Sequence, residues 1–306
     1  VECPLCGSAT SRVRCSFRLG DVLAEIDSNY GTRLAAAGQA ADQVVTLLSC
    51  RRCALQFFDP PIAADAAFYN ELGAAESYYS PGLRWDQQLA VDVIGSSTKV
   101  IDVGAGAGLF VGELRARGID TTGIDFRDGE SPPPANGDGD VPASDHDHLL
   151  VDLGNPAELS ATAAQIGGSA DVATAFHVLE HLHHPVEFAR FLRSLVGPGG
   201  RVIVSVPNRH RFDPAPSQAL DCPPHHLTRW SKANLELLGS MIGATSCDVS
   251  IEHDFGLRRM VVGSARWVYD RLQRNAPLAA HVGAPWPPWR VVNAQSLLAV
   301  YRFDPQ

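Results

Sequence analysis

Val100-Ile101-Asp102-Val103-Gly104-Ala105-Gly106-Ala107-Gly108-Leu109-Phe110 is the stretch on which the reading of this chain turns. Val100, Ile101 and Val103 form the apolar run of a strand buried on both faces of a parallel sheet. Gly104, Gly106 and Gly108 follow at once and let the backbone turn tightly and approach a ligand closely. Leu109–Arg117 then supplies a helix, completing the strand, loop and helix on which a nucleoside can be laid. The plainer alternative is a structural turn. It has no use for an acid at the end of the next strand, and Thr121–Asp125 reads T-T-G-I-D, about 20 residues beyond the loop.

The glycine spacing separates two classes of ligand. A dinucleotide fingerprint is G-x-G-x-x-G, and counting from Gly104 puts Leu109 where its third glycine belongs. The pattern present is G-x-G-x-G preceded by Asp102, which resembles motif I of class I S-adenosylmethionine (SAM) dependent methyltransferases. That resemblance implies SAM as cofactor, bordered by Asp102, Gly104, Gly106 and Gly108, with Asp125 accepting both ribose hydroxyls.

Composition sets outer bounds. A chain of 306 residues with 45% hydrophobic content can furnish one large α/β domain and something smaller. The formal net charge of −9 points away from affinity built on phosphate neutralisation, so nucleic acid is disfavoured as a partner and a small-molecule substrate is expected. No apolar run approaches the roughly 20 residues that span a bilayer, and the beginning of the sequence lacks a basic stretch followed by an apolar core. Both point to a cytoplasmic protein without a membrane partner.

The seven cysteines fall into two classes. Cys3-Pro4-Leu5-Cys6-Gly7 and Cys50-Arg51-Arg52-Cys53 are C-x-x-C knuckles, whereas Cys15, Cys222 and Cys247 stand alone. Two knuckles suit a structural zinc ion held tetrahedrally by Cys3, Cys6, Cys50 and Cys53, in preference to a redox pair or a disulfide framework. The segment between them is then an insertion, helical over Val22–Ala41, and a short strand within Leu55–Ile62 closes the module before its prolines. The expected organisation is a zinc-binding module over 1–62, a connecting or lid segment over 63–98 with Tyr78 as a lid residue, and the main domain over 99–306.

Strand and helix patterns alternate through that domain, with strands expected at Lys99–Val103, Thr121–Ile124, Leu149–Val151, Asp171–Ala175, Arg201–Val206, Cys247–Glu252 and Ser296–Phe303. A Rossmann-like, doubly wound α/β sheet follows, with ligands gathered beyond the strands' carboxyl ends. Arg127–His148 contains P-P-P and D-H-D-H and reads as a mobile surface loop, its Asp145, His146, Asp147 and His148 more simply solvated than metal-binding. Asp152 stands where the resemblance implies contact with the adenine amino group. Asp171–Leu182 resembles the fourth-strand motif, which places Phe176 and His177 against the cofactor. Pro185–Val196 is the next helix, and Gly197-Pro198-Gly199-Gly200 a turn.

His177, Glu180 and His181 also have the spacing of an inverted zinc-protease motif, but such a motif needs a long helix, and here a strand precedes it and Pro185 follows. A milder reading has Glu180 and His181 holding a divalent ion beside an acceptor hydroxyl, against the simpler one of residues that support the pocket. Asp221–Ser231, D-C-P-P-H-H-L-T-R-W-S, resembles the E-H-L-x-x-F-S segment of zinc-containing sugar and natural-product methyltransferases, which likewise begin with two knuckles. The match puts His226 in the histidine position and Trp230 in the aromatic one, so His226, with His225 and His181, is a candidate catalytic residue. Alternatively Ser231 caps a helix over Lys232–Met241 and the histidines only pack the loop. Cys222 and two prolines occupy the region where those relatives have a tyrosine, and no further C-terminal domain follows in this sequence; both argue against carbon methylation. The insertion Arg258–Arg290 carries Trp267, Tyr269, Trp286 and Trp289, suited to a lid, a dimer contact or ordinary packing. The expected activity is methylation of a hydroxyl, less readily a nitrogen or a carbon, of a small metabolite, natural product or glycan. An RNA methyltransferase and a catalytically inactive SAM-binding scaffold are the alternatives.

Overall fold

The computed structural model describes residues 1–37, 41–75, 82–96, 99–125, 148–210, 219–252 and 296–305. Tyr78, the loop 127–147 and the insertion 258–290 lie outside these residues. In chain order the strands are β1 (Ser11–Arg18), β2 (Val44–Cys50), β3 (Gln56–Asp59), β4 (Lys99–Val103), β5 (Asp120–Asp125), β6 (His148–Leu150), β7 (Ala170–Phe176), β8 (Val196–Pro207), β9 (Thr228–Arg229), β10 (Ser246–Ile251) and β11 (Ser296–Arg302). The α-helices are α1 (Leu19–Tyr30), α2 (Leu34–Ala37), α3 (Ala66–Gly73), α4 (Trp85–Ile94), α5 (Leu109–Ala116), α6 (Pro156–Ile166), α7 (Pro185–Leu195) and α8 (Lys232–Met241). The seven strands expected in the main domain are thus present, each within a few residues of the expected bounds. Two compact units share the chain. One holds Val1–Ala75 and Pro207–Asn234; the other holds α4 through β8, Leu235–Ser250 and most of β11.

In the first unit, four strands form a sheet in the order β1-β2-β3-β9, paired antiparallel. Phe17 lies opposite Val45 and Leu47 opposite Phe58, so these four buried side chains share one face, with the Phe17 and Phe58 rings edge to face at 5.9 Å. Leu19, Val22, Leu23 and Ile26 give α1 its buried stripe, at the i, i+3, i+4, i+7 spacing of an amphipathic helix. The helix stops at Gly31, whose left-handed φ of 72° lets its N–H return to the Asp27 carbonyl. Asp27 then restarts the chain: its carboxylate accepts from the backbone N–H groups of Leu34 and Ala35 and from the Thr32 hydroxyl. The single helix expected over Val22–Ala41 is therefore two, because Gly31 ends one and Asp27 caps the other.

The second unit is a seven-stranded sheet in the order β10-β11-β8-β7-β4-β5-β6, with β6, β5, β4, β7 and β8 mutually parallel. β7 is the middle strand with β4 beside it, and from β4 the chain runs to one side through β5 and β6 before β7 returns on the other. Ligand sites in such sheets open at that reversal, beyond the strand ends. β4, β7 and the Val202–Val206 stretch of β8 are buried along nearly their whole length, which explains their largely apolar sequences. Val100, Phe110, Leu114, Val172, Phe176 and Ile203 join one core cluster, in which Phe110 and Phe176 meet at 4.8 Å. The turn expected at Gly197–Gly200 is instead taken up within β8. Ala170 pairs with Val196 and Val172 with Arg201, so the glycine-rich residues form a wide bulge in a continuous strand.

The far end of the sheet is tied by Tyr301, fully buried on β11, whose hydroxyl donates to the Leu235 carbonyl of α8 at 2.9 Å. Tyr301→Phe keeps the ring and removes this one hydrogen bond, while the carbonyl keeps its place within α8. Urea unfolding should show a loss of about 0.5–1.5 kcal/mol with an unchanged denaturant slope.

Candidate active site

The loop after β4 is shaped by three left-handed glycines. Gly104, Gly106 and Gly108 have φ of 81°, 56° and 74°. At Gly104 a side chain is excluded twice over, since an added Cβ would stand 2.4 Å from Val178 Cγ2. The Gly104 and Ala105 N–H groups both return to the Ile124 carbonyl of β5, fastening the loop across the sheet. Asp125, at the end of β5 and 4% exposed, accepts from the Gly106 N–H at 2.5 Å. The structure thus brings together the glycines and the acid expected to hold ribose. These features fit a nucleoside: a loop without side chains lies open to close approach, and beside it stands a carboxylate that accepts hydrogen bonds.

Below the loop, Asp102 is 2% exposed and accepts from the Thr174 hydroxyl at 2.6 Å. Burial pushes its carboxyl up to about 7; the Thr174 hydrogen bond opposes this and the negative charge of Asp125 adds to it. Phe176 packs on Phe110 within the core cluster. Asp152 is exposed and closes a turn ahead of α6, its carboxylate accepting from the Gly154 N–H at 2.9 Å. His181 is partly exposed in a short 3-10 turn, with Nε2 4.0 Å from Glu180 Oε1. That turn, Leu179–His181, is three residues long, which leaves the protease motif without its helix.

His177 ends β7 in the left-handed region, at φ 57°, a conformation costly for a residue with a side chain. What holds it there is charge. Nε2 stands 3.3 Å from Asp86 Oδ2 and Nδ1 3.3 Å from Glu180 Oε1, both carboxylates being almost fully buried. Burial favours the neutral ring, but the two carboxylates outweigh it and hold the imidazole pKa above its ordinary value. Asp86 is held well below the usual carboxylate range against its own burial, through His177, Arg84 and the Ser205 hydroxyl. Sequence reasoning overlooked Asp86 and Ser205. The available signal was a charged residue following Trp85 on an otherwise apolar helical face.

In the first unit, His226 is buried with Nδ1 3.1 Å from Asp221 Oδ1, and the other oxygen of Asp221 faces Arg229 Nη2 at 3.4 Å. His225 stacks on His226 at 4.4 Å, holds the Leu220 carbonyl through Nδ1, and lies against Phe68 and Tyr69. An imidazole whose Nδ1–H is engaged by a carboxylate presents Nε2 as an acceptor, the tautomer a proton-abstracting histidine needs. Ser231 does adjoin the helix expected after it. Its hydroxyl donates to the Asn234 side chain, which also accepts from the Ser231 N–H.

The four knuckle cysteines converge as well. Cys3 and Cys53 Sγ atoms are 3.6 Å apart, Cys6 and Cys50 3.5 Å, and all four lie within 4.8 Å of one another. Tetrahedral zinc with bonds of about 2.3 Å sets its sulfurs about 3.8 Å apart, so the cluster has the right dimensions. The contact with Cys53 draws the Cys3 thiol down to about 5 and raises that of Cys53, one sulfur of the pair holding the proton for both.

The family described as "Methyltransferase domain" matches residues 78–245, more than half of the chain, and the chain belongs to that family. Among curated relatives, the ubiquinone biosynthesis O-methyltransferase of Acinetobacter baumannii strain AYE is 30% identical over 128 residues, 42% of this chain and 51% of that protein. The corresponding enzyme of Stutzerimonas stutzeri is 32% identical over 117 residues, 37% of this chain and 45% of that protein. The chain spans about half the length of the curated relatives it matches. A solved structure of Haemonchus contortus phosphoethanolamine N-methyltransferase 2 with S-adenosyl-L-methionine shares the fold, with TM-score 0.50, 12% identity, and coverage of 80% of this chain and 61% of that one. Among the described residues no helix is long and apolar enough to cross a membrane.

The raised Asp102 pKa has a measurable sign. A carboxyl at about 7 in the folded state and about 3.9 unfolded binds more protons when folded, so its contribution to stability is full below pH 4 and is lost as pH rises to 7. Measured by denaturation against pH, Asp102→Asn should gain stability relative to wild type across that window and level off above it.

Proposed function

We propose that this chain is a SAM-dependent methyltransferase whose acceptor is a hydroxyl of a small metabolite, natural product or glycan. The observation that carries the reading is the loop after β4, with three left-handed glycines and the Asp125 carboxylate at the Gly106 N–H, in a chain of the methyltransferase family. The preference for oxygen is supported by relatives whose names specify O-methyl transfer.

When bound, SAM supplies an electrophilic methyl group on a sulfonium. The chain's own residues then have three tasks. Gly104, Gly106 and Gly108 admit the nucleoside against bare backbone, and Asp125 exchanges its Gly106 contact for ribose hydroxyls. Asp86, His177 and Glu180 form a buried charged set that fixes the end of β7 in a conformation it would not otherwise keep. His226 takes the acceptor's proton, with Asp221 engaging Nδ1 and stabilising the imidazolium that forms. His225, stacked on it, limits its rotation. Cys3, Cys6, Cys50 and Cys53 would hold zinc as a structural ion that ties the two knuckles together.

Calorimetry on wild type and Asp125→Ala tests the first task. SAM affinity should fall about tenfold to a hundredfold, as expected for hydrogen bonds to a charged group; equal affinity removes Asp125 from the site. For the base, an acceptor is first identified by mass spectrometry of metabolite extracts incubated with SAM. His226→Ala should then cut turnover by about 10²–10⁴-fold with SAM affinity nearly intact, and Asp221→Asn should lower it in the same direction. Full activity in His226→Ala sinks the assignment. Elemental analysis should find one zinc per chain, lost in Cys50→Ser together with thermal stability of the first unit.

A further inference from the structure

The turn that carries Cys50 and Cys53 is held from outside by two side chains, and both belong to the chain flanking the loop of His226. Ala54 closes that turn in the left-handed region, at φ 61°, its N–H returned to the Cys50 carbonyl at 3.1 Å. The Cys53 carbonyl accepts from Asn234 Nδ2 at 2.7 Å, and the next carbonyl, that of Ala54, accepts from the Arg209 guanidinium. Asn234 is fully buried, and its Oδ1 accepts from both the N–H and the hydroxyl of Ser231, at 3.1 and 2.7 Å. Arg209 is anchored by its own backbone, whose N–H donates to the Trp230 carbonyl at 2.8 Å.

The same loop is fastened to the strand that leaves the knuckle. Thr228 and Arg229 of β9 pair with Phe57 and Gln56 of β3, and the Phe58 N–H donates to the carbonyl of Leu227, the residue after His226, at 3.1 Å. All of these residues lie in the first unit. Trp230 is completely buried, so the segment from Leu227 to Asn234 has little room to adjust without moving as a whole. Capping at Ser231 needs only an oxygen acceptor three residues on, which Asp or Glu supplies as well; the amide donor of Asn234 is directed at the knuckle instead. Thiolate ligation and local folding are linked, so the geometry of the Cys50–Cys53 turn depends on the metal. A movement of the Cys53 peptide is passed by Asn234 to Ser231, and by β3 to the residues next to His226.

We propose that Asn234 is a positioning residue, which couples the zinc knuckle at Cys53 to the loop that holds His226, so that occupation of the four-thiolate site sets where the imidazole stands. Its effect on turnover rests on His226 being the base; the coupling itself is observed at the metal and at the imidazole ring. Coupling is reciprocal, so loosening the loop also weakens the hold on the metal.

The test uses the full zinc-loaded chain. Asn234→Asp keeps the acceptor for Ser231 and removes the donor to Cys53; Asn234→Ala removes both. Zinc release to excess chelator should run about tenfold to a hundredfold faster in each. Asn155→Ala takes the cap from α6 in the other unit, destabilises the chain without reaching the knuckle, and should release zinc at the wild-type rate. The second readout is the His226 ring signal in the nuclear magnetic resonance spectrum, assigned by its loss in His226→Ala. Exchanging zinc for the larger cadmium ion in wild type should shift that signal, a measurement that needs no variant at position 234 to fold, and the shift should shrink in Asn234→Asp. With an acceptor in hand, Asn234→Asp should lower kcat about tenfold with SAM affinity intact. Wild-type release rates in both Asn234 variants, equal acceleration in Asn155→Ala, or a His226 signal indifferent to the exchange overturns the proposal. Full activity in His226→Ala together with a metal-dependent His226 signal supports the coupling and overturns only the base assignment.

Discussion

The rest of the second unit depends on a backbone that must turn back on itself at the carboxyl end of β4 without side chains. A positive φ at three alternate residues is available cheaply only to glycine, and at Gly104 the Val178 methyl stands where a Cβ would go. The constraint propagates outward. Because the loop is fastened to the Ile124 carbonyl, the end of β5 is drawn beside it, and Asp125 comes to lie at the Gly106 N–H. Because Val178 packs on Gly104, the chain leaving β7 is held close, and His177 takes up its strained backbone next to two carboxylates.

Buried charge is the second organising element, and the molecule treats it in three ways. Asp102 has a hydroxyl partner and, among the described residues, no cation in direct contact, so burial wins and its pKa rises. Asp86 has His177, Arg84 and the Ser205 hydroxyl around it, so its charged form survives burial, and Glu180 lies on the other side of the same imidazole. Asp221 is divided between an imidazole and a guanidinium, which makes it both an orienting group and part of the scaffold. A lone buried charge costs several kcal/mol after relaxation, which is why each is met by a hydrogen bond or an opposite charge. The strain at His177, of order 1–3 kcal/mol, is small beside that cost and is retained where it keeps the carboxylates paired.

Much of this was legible in the sequence, for identifiable reasons. Period and punctuation reveal local structure: the apolar runs Val100–Val103 and Val202–Val206 can only be interior strands, and Pro185 opens α7 where a proline is tolerated. The C-x-x-C spacing already places two sulfurs on one side of an ion, so the convergence of four needed only that the knuckles meet. Errors arose where a local signal had two outcomes. Gly197-Pro198-Gly199-Gly200 reads as a turn in isolation, but pairing with β7 keeps both flanks in one strand and pushes the excess residues into a bulge. The helix pattern over Val22–Ala41 did not reveal that Gly31 would end it.

By itself, then, the sequence determined the strand and helix alternation, the glycine loop with its acid, and the four thiols, because each is set by residues close together along the chain or by a repeated spacing. Partnership between distant residues was decided only by the tertiary structure. Asp86 meets Ser205 and His177, and Arg12 shares a rung with Arg229 across three strand pairings. No local pattern encodes these meetings, since they follow from strand order and register, which are selected by burial of the whole apolar face at once.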